Sequence, residues 1–263
     1  MTQNQRSATS LRMKQMIEEL SNIARKAGAA IMEVRRKGFD VYNKDDKSPV
    51  TAADIASNKI ITEHLAKLYP EIPVLSEEGI KIPYDERKYW KEFFLVDPLD
   101  GTKEFIKDNG EFCVCIAFMR NNRPVLGVVY APTQDALYSG SIETGAKVSK
   151  NGKKSVSIST APPVEGEGQI IVGSRSHPSP KLEEYLSDIN VAQMKPAGSA
   201  IKFCLVAEGK AHLYPRFNPT MEWDTAAGQA ILEAAGGTMR GLDGEEFPYN
   251  KKNLRNDGFI VKA

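Results

Sequence analysis

The stretch Phe93–Phe105, FFLVDPLDGTKEF, joins a strand-like apolar run to two closely spaced carboxylates. The run FFLV ends on Asp97, Pro98 follows, and Asp100 comes three residues after the first aspartate. Because proline restricts φ and lacks a backbone donor, we expect a turn directly after Asp97. That turn would bring Asp100 back beside Asp97 at the end of a buried strand, where two unscreened carboxylates repel each other strongly.

This repulsion has to be offset, either by a shared proton or by a cation. The same turn would direct a backbone carbonyl, that of Leu99, outward. Two carboxylates and a carbonyl form an oxygen-only ligand set, which suits a hard divalent ion such as Mg2+. The alternative is a solvent-exposed Asp-Pro turn with Asp100 and Gly101 at its corner. The stretch alone leaves both interpretations open.

The residues that follow favour chemistry on a phosphate. Gly101, Thr102 and Lys103 can open a short helix or turn whose backbone N–H groups point towards the same spot. Carboxylates would then hold cations, and amides would hold an anion opposite them. Phosphoryl transfer requires this combination of charges.

Two further acidic segments lie elsewhere in the sequence. VLSEEG, at 74–79, ends another short apolar run in Glu77 and Glu78. MEWDTAAG, at 221–228, places Asp224 at the start of an Ala-rich helix. Each segment has a structural alternative, because the two glutamates can lie in a solvated loop and Asp224 can be a helix N-cap.

The remaining pattern predicts a mixed α/β chain with layered helices and sheets. Apolar residues at steps of three and four predict an amphipathic helix over 11–37, and a second helix is expected at 51–68. Mostly antiparallel strands are expected at 39–43, 72–75, 93–96, 113–120, 125–131 and 136–142. After a Pro- and Gly-rich connector at 160–168, predicted helices alternate with predicted strands; the helices are 180–188, 199–208 and 225–235, and the strands are 170–174, 212–217 and 258–263. We expect one domain over 11–263, with halves of about 11–160 and about 168–263.

Composition excludes several classes of protein. The 263 residues are 41% hydrophobic and 26% charged, which is ordinary for a soluble globular protein. A net charge of +1 gives no electrostatic basis for binding a nucleic acid polymer. The sequence shows neither a signal-peptide pattern nor an apolar run long enough for a membrane span. The three cysteines, Cys113, Cys115 and Cys204, are expected to be reduced core thiols of a cytoplasmic protein rather than zinc ligands.

The acidic motifs, in their order along the chain, resemble those of the inositol monophosphatase superfamily of Mg2+-dependent, lithium-sensitive phosphomonoesterases. SEE stands at 76–78, DPLDGT at 97–102 and WDTAAG at 223–228, and the resemblance covers nearly the whole chain from residue 11. It implies a layered α-β-α-β-α sandwich.

Within the superfamily, LDGTKEFI at 99–106 is most similar to the bacterial CysQ-type 3'(2'),5'-bisphosphate nucleotidases. Inositol phosphatases more often have threonine where this chain has Lys103. SRSH at 174–177 and the segment 198–217 are also similar to the nucleotidase pattern.

The resemblance implies a ligand set for two Mg2+ ions. Glu77, Asp97 and the Leu99 carbonyl would hold one ion, and Asp97, Asp100 and Asp224 would hold the other. A weaker third ion would lie near Glu77. Whether all these sites are filled at rest is left open.

The resemblance also implies catalytic roles. Asp54, in KSPVTAAD, would pair with Thr102, and together with Glu77 this pair would orient and deprotonate an attacking water. The amides of Gly101 and Thr102 would receive the transferred phosphate. No nucleophilic serine or cysteine motif is seen, so direct attack by water without a phosphoenzyme is expected.

The substrate-binding residues implied by the resemblance are Lys103, His177, Ser199, Lys202, Arg216 and Asp224, besides Gly101 and Thr102. His177, Ser199, Lys202 and Arg216 would form the nucleotide and second-phosphate pocket. Alternatives remain for three of them: His177 in a surface loop, Lys202 on a solvated helix face, and Lys103 pointing to solvent.

The expected activity is hydrolysis of the 3'-phosphate of adenosine 3',5'-bisphosphate, with 3'-phosphoadenylyl sulfate as a further candidate substrate in sulfur metabolism. The alternatives are an inositol monophosphatase or fructose-1,6-bisphosphatase of the same superfamily, and a binding protein without turnover. A homodimer is expected by resemblance, and peripheral contact with the inner membrane is left open.

Overall fold

The computed structural model describes residues 3–43, 49–174 and 180–263. The α-helices are α1 (Gln3–Lys37), α2 (Ala52–Leu68), α3 (Tyr84–Arg87), α4 (Thr102–Ile106), α5 (Pro180–Leu186), α6 (Ile201–Ala207) and α7 (Ala226–Ala234). Among the described residues, none of the helices has the length and apolar character needed to span a membrane.

The first nine strands are β1 (Val41–Asn43), β2 (Pro49–Thr51), β3 (Val74–Ser76), β4 (Glu92–Asp100), β5 (Cys113–Arg120), β6 (Arg123–Ala131), β7 (Ala136–Ser141), β8 (Gly145–Lys150) and β9 (Val156–Ile158). The strands of the second half are β10 (Gln169–Ser174), β11 (Val191–Ala197), β12 (Leu213–Arg216), β13 (Thr220–Met221), β14 (Thr238–Gly241), β15 (Arg255–Asn256) and β16 (Phe259–Lys262).

Strands β3 to β9 form a seven-stranded sheet in sequential order, and only its first pair, β3 and β4, is parallel. Its two faces are covered by different helices, because α1 and α2 pack on one side and α6 and α7 on the other. Alternate residues of β4 therefore enter different cores: Phe94 and Val96 pack with α1 and α2, whereas Phe93 and Leu95 pack with α6 and α7. This explains why β4 is a continuous apolar run rather than an alternating one.

A five-stranded sheet of order β11-β10-β12-β16-β14 packs on the other side of α6 and α7. Strand β10 is parallel to β11 and β12, and α5 lies in the connection between β10 and β11. Helices and sheets thus alternate, and the mixed α/β class predicted from the sequence is confirmed. The predicted domain boundaries stay a prediction.

Helix α1 confirms the periodic pattern but begins at Gln3, earlier than the predicted start at residue 11. Residues 3–10 contain neither proline nor glycine, so nothing in the backbone ends the helix where the apolar pattern stops. The apolar positions of the pattern form the buried face, including Leu20, Ile23, Ala27 and Ile31.

Strand β11, VAQMKPA, was not predicted. It lies at the edge of its sheet and most of its side chains are exposed, so it lacks the apolar alternation that marks a half-buried strand. Its lysine and proline are residues that protect an exposed sheet edge.

Gly127 in β6 permits close contact between the seven-stranded sheet and α7. A Cβ at this position would overlap the carbonyl oxygen of Ala227 and would lie 2.9 Å from its carbonyl carbon. Both groups belong to backbone, so neither can move without displacing its element.

We expect Gly127→Ala to lower the free energy of unfolding by about 1–3 kcal/mol, because the added methyl group overpacks the interface. Gly173→Ala in β10 is the matched control, since its nearest neighbour is the flexible end of Met194 at 3.3 Å. Urea unfolding of both variants tests this expectation, and equal stabilities would contradict the proposed close contact.

Candidate active site

One cavity of about 370 Å³ collects most of the residues that the sequence singled out. It is lined by residues of both halves, including Glu77, Asp97, Leu99, Asp100, Gly101, Thr102, Lys103, Ser199, Lys202, Arg216 and Asp224. Asp54 lies behind Thr102, and His177 lies outside the described residues. A cavity of this size falls in the range of small-molecule sites.

The two aspartates of DPLD lie on a bulge within β4, and not on a turn after the strand as the sequence predicted. Asp97 pairs with Cys115 and Asp100 with Cys113, so Pro98 and Leu99 are both accommodated opposite one residue of β5. The strand continues to Asp100 because β5 still pairs with it beyond the proline. A bulge of this kind redirects side chains locally, which brings both aspartates to the cavity.

Two hydrogen bonds fix the shape of this bulge. The backbone N–H of Leu99 donates to Oδ1 of Asp97 at 3.0 Å, and Oγ of Ser57 on α2 donates to the Pro98 carbonyl at 2.6 Å. The sequence analysis did not identify Ser57. Ser57 lies three residues after Asp54 on the same face of a predicted helix, and this spacing could have identified it as a neighbour of the site.

Glu77 reaches the same cavity from β3. Its backbone N–H donates to the carbonyl of Val96 at 3.1 Å, which extends the parallel pairing of β3 with β4 and places Glu77 close to Asp97. Glu77 is half-buried and lines the cavity, so the alternative of a fully solvated loop is wrong for this residue.

Asp224 ends a short 3-10 turn, Glu222–Asp224, just before α7. Its Oδ2 accepts a hydrogen bond from the backbone N–H of Met221 at 2.8 Å, three residues earlier. The carboxylate therefore does not cap α7, whose N-cap position is Thr225, and the N-cap alternative is wrong. The side chain faces the cavity instead.

The acidic side chains affect one another strongly. Burial raises the pKa of Asp97 well above its usual value, and the charges of Glu77, Asp100 and Asp224 raise it further. The pKa of Asp224 is also raised well above normal, first by burial and then by Asp100 and Glu77. Burial and mutual repulsion both favour the protonated form of these carboxyl groups, and a bound cation would oppose that effect.

Asp100 differs because a cation faces it. Burial raises its pKa to about 6, while Lys202 and the backbone N–H of Ala200, which donates to Asp100 Oδ2 at 2.5 Å, act in the opposite direction. Burial lowers the pKa of Lys202 to about 8, and Asp100 opposes that shift. The contact between Ala200 and Asp100 joins the two halves at the cavity.

Lys202 is 4% exposed, so the alternative of a solvated helix face is wrong. Its ammonium donates to the carbonyls of Ala197 and Ser199, at 3.4 and 2.6 Å, and lies 5.4 Å from the ring centroid of Tyr214. Ser199 has a φ of 49°, in the left-handed region, and its hydroxyl lies 3.4 Å from Sγ of Cys113. These contacts fix the loop before α6, which forms one wall of the cavity.

Arg216 lines the same wall from the end of β12. Its Nε donates to the carbonyl of Asn218 at 3.0 Å, and Nη2 donates to that of Pro219 at 3.5 Å. Its charge lowers the pKa of both Asp100 and Asp224, which shows that it faces the acidic cluster. Lys103 is exposed at the rim of the cavity.

Thr102 and Asp54 are paired. Oγ1 of Thr102 lies 3.1 Å from Oδ1 of Asp54 and 3.3 Å from the Leu99 carbonyl, so its single proton serves one acceptor at a time. The other oxygen of Asp54, Oδ2, accepts from both N–H and Oγ1 of Thr51 at 2.7 Å. Burial raises the pKa of Asp54, and the hydrogen bonds from Thr51 and Thr102 oppose this shift.

Gly101 starts α4 with a φ of 95°, which favours glycine. A Cβ there would also lie 3.0 Å from the carbonyl oxygen of Glu111. The backbone can therefore reverse directly after Asp100 and present the first residues of α4 to the cavity. The short helix predicted after the acidic pair is confirmed over Thr102–Ile106.

Two donor sets could be considered for a metal ion. Among the described residues, the set of three ligand atoms within 4.8 Å of one another consists of Asp100, Cys113 and Cys115. Both thiols are buried, and the hydrogen bond with Cys113 together with burial raises the pKa of the Cys115 thiol well above normal, which makes Cys115 a poor ligand. The oxygen-only set of Glu77, Asp97, Asp100 and Asp224 fits a hard cation better, because carboxylate oxygens are the ligands that such an ion prefers.

Known proteins are similar to this chain over most of its length. A family model described as the inositol monophosphatase family matches residues 12–260. The 3'(2'),5'-bisphosphate nucleotidase CysQ of Escherichia coli strain CFT073 is 46% identical over 249 residues, which cover 94% of this chain and 99% of that protein. The protein of the same name from Buchnera aphidicola is 41% identical over 256 residues, covering 95% of this chain and 94% of the other.

Solved structures of the same family have a similar fold. The crystal structure of CysQ from Bacteroides thetaiotaomicron, a bacterial member of the inositol monophosphatase family, superposes with a TM-score of 0.81 at 41% identity and covers 94% of this chain and 97% of the other. The IMPase from Thermotoga maritima has the same fold, with a TM-score of 0.78 at 22% identity over 94% of this chain and 92% of the other. The chain therefore belongs to the inositol monophosphatase family.

Proposed function

We propose that the protein is a metal-dependent 3'(2'),5'-bisphosphate nucleotidase that releases the 3'-phosphate of adenosine 3',5'-bisphosphate to give AMP. The observation that carries this proposal is the division of charge in one cavity. Glu77, Asp97, Asp100 and Asp224 supply negative charge, and Lys202 and Arg216 lie opposite them. The names of the relatives with 41–46% identity support the same activity.

The acidic side of the cavity would hold divalent cations, for which Mg2+ is our proposal. Its oxygen donors are of the type that Mg2+ prefers, and the raised pKa values of Asp97 and Asp224 support the proposal because they reflect crowding of buried carboxyl groups that a cation would relieve. When bound, such ions supply Lewis acidity and lower the pKa of a nearby water.

The protein's own residues would prepare the attack by water. Thr102 donates a hydrogen bond to Asp54. The oxygen of Thr102 would therefore be available to accept a hydrogen bond from a water molecule and to orient that water. The raised pKa of Asp54 would help it to accept the hydroxyl proton of Thr102 while Thr102 accepts a proton from the water. The amides at the start of α4 would contact the phosphate oxygens, at the point where Gly101 reverses the backbone.

The cationic wall would bind the remainder of the substrate. Lys202 is buried, and Arg216 is half-buried with its guanidinium held by the Asn218 carbonyl, so each would interact more strongly with a phosphate than a fully exposed cation. A second phosphate distinguishes a nucleoside bisphosphate from a monophosphate. This wall therefore favours the nucleotide over inositol monophosphate, which is the second candidate.

Oligomeric state and location stay predictions, namely a homodimer in the cytoplasm. Hydrolysis of 3'-phosphoadenylyl sulfate, which carries the same 3'-phosphate, is an extension of the proposed activity.

Phosphate release tests the proposal directly. We expect Mg2+-dependent, Li+-inhibited release from adenosine 3',5'-bisphosphate, with a kcat/KM well above that for inositol 1-phosphate or fructose 1,6-bisphosphate. Preference for either of the other two substrates would reject the nucleotide specificity, and absence of release from all three would reject the phosphatase.

Asp97→Asn should retain the fold but lose at least about nine-tenths of kcat at saturating Mg2+, since it removes one unit of charge from a ligand shared by both ions. The amide oxygen of asparagine can still accept from the Leu99 N–H. Asp85→Asn is the control, because this exposed aspartate pairs only with Lys88 among the contacts described. Near-normal kcat in Asp97→Asn would exclude its role as a ligand.

Arg216→Met should raise KM for adenosine 3',5'-bisphosphate by about tenfold or more, because a charge-assisted contact with the second phosphate is lost. KM for a simple monophosphate should change much less. The exposed Arg240→Met serves as control, since Arg240 pairs with Glu246 at the surface. Equal effects of Arg216→Met on the KM of both substrates would show that Arg216 does not bind the second phosphate.

A further inference from the structure

The turn that carries Asp224 packs beside β4 and β5 of the seven-stranded sheet, and its hydrogen bonds run to the segment 250–256. Strands β13 and β15 pair just before it, with Met221 opposite Arg255. The backbone N–H of Glu222 then donates to the carbonyl of Leu254 at 3.0 Å. The position of Asp224 relative to Asp97 therefore depends on how this segment is held.

Glu222 provides the second attachment through its side chain. It is 0% exposed, and both carboxylate oxygens are used. Oε2 accepts from the backbone N–H of Asn250 at 2.7 Å, whereas Oε1 accepts from N–H and Nζ of Lys251 at 3.0 and 2.7 Å. Its carbonyl accepts from the N–H and hydroxyl of Thr225, at 3.2 and 3.0 Å, which closes the turn around Asp224.

The segment is in turn anchored to the other half of the protein by Arg87, which is 3% exposed. Its guanidinium donates to Oδ1 of Asn250 at 2.7 Å and to the Lys251 carbonyl at 2.6 Å. Nδ2 of Asn250 donates back to the Arg87 carbonyl at 2.9 Å. A continuous chain of hydrogen bonds thus runs from Arg87 through Asn250 to Glu222.

We propose that Glu222 is a positioning residue for the metal site: its buried carboxylate, held by Asn250 and Lys251, fixes the turn that presents Asp224 to Asp97 and Asp100. The inference rests on the proposed metal-dependent function. Glu222 does not line the cavity, so it acts only through Asp224. Groups that orient a ligand in this way typically set metal affinity by about 10- to 100-fold.

The test uses Glu222→Gln, which preserves side-chain volume but turns an NH2 group towards backbone or ammonium donors that need an acceptor. Binding of Mn2+ alone is measured on the full chain, without substrate, from the EPR signal of the free ion. We expect the dissociation constant to rise by about 10- to 100-fold. At saturating Mg2+, kcat should recover largely, and KM for the nucleotide should change little.

Glu246→Gln is the matched control, because this exposed glutamate pairs with Arg123 at the surface. Lys251→Met is the second variant, since it removes one of three donors to Glu222 and keeps an apolar stem. It should give a smaller rise in the Mn2+ dissociation constant, and it decides the question if Glu222→Gln does not fold. Circular dichroism of metal-free protein establishes folding.

The possible failures are distinguishable. If the folded variants bind Mn2+ as tightly as wild type while wild type hydrolyses the nucleotide, the positioning role is wrong and the proposed function stands. If a variant loses stability without a change in Mn2+ affinity, Glu222 has only a structural role. If wild type itself binds no Mn2+, both the inference and the metal-dependent function are wrong.

Discussion

Repulsion among Asp97, Asp100 and Asp224 is the constraint to which the rest of the site responds. Burial raises the pKa of all three carboxyl groups, and neighbouring acidic charges raise those of Asp97 and Asp224 further, so keeping the groups together lowers the stability of the fold. Each is fixed by one backbone N–H donor; the donors are those of Leu99, Ala200 and Met221. Main-chain donors fix the position of each carboxyl group without adding a full positive charge beside it.

The same constraint explains why the cavity lies between the two halves. Asp97 and Asp100 come from the seven-stranded sheet, whereas Asp224 and the cation Lys202 come from elements after the connector. The contact of Asp100 with the Ala200 N–H joins these contributions directly. A site assembled from both halves brings both signs of charge onto one small substrate, and neither half contains the whole set.

The sequence predicted that the acidic residues lie close together. Each is adjacent to an apolar run or an Ala-rich helix, and their order along the chain matched that of a known family. It did not predict the bulge at Pro98 and Leu99, because only the pairing with β5 decides whether a proline ends a strand or is accommodated within it. The sequence did not predict the burial of Lys202 either, because this burial depends on a second sheet that packs over α6. Local patterns carry no information on such distant contacts, and the bond between Arg87 and Asn250 joins residues 163 positions apart.

The place of β16 in its sheet has a consequence for biosynthesis. Strand Phe259–Lys262 lies between β12 and β14, which do not pair with each other, so the five-stranded sheet cannot close until these residues have left the ribosome. Helix α7 packs against β14, and the turn with Asp224 precedes that helix. The turn with Asp224 therefore reaches its final position only after the residues of β16 have left the ribosome.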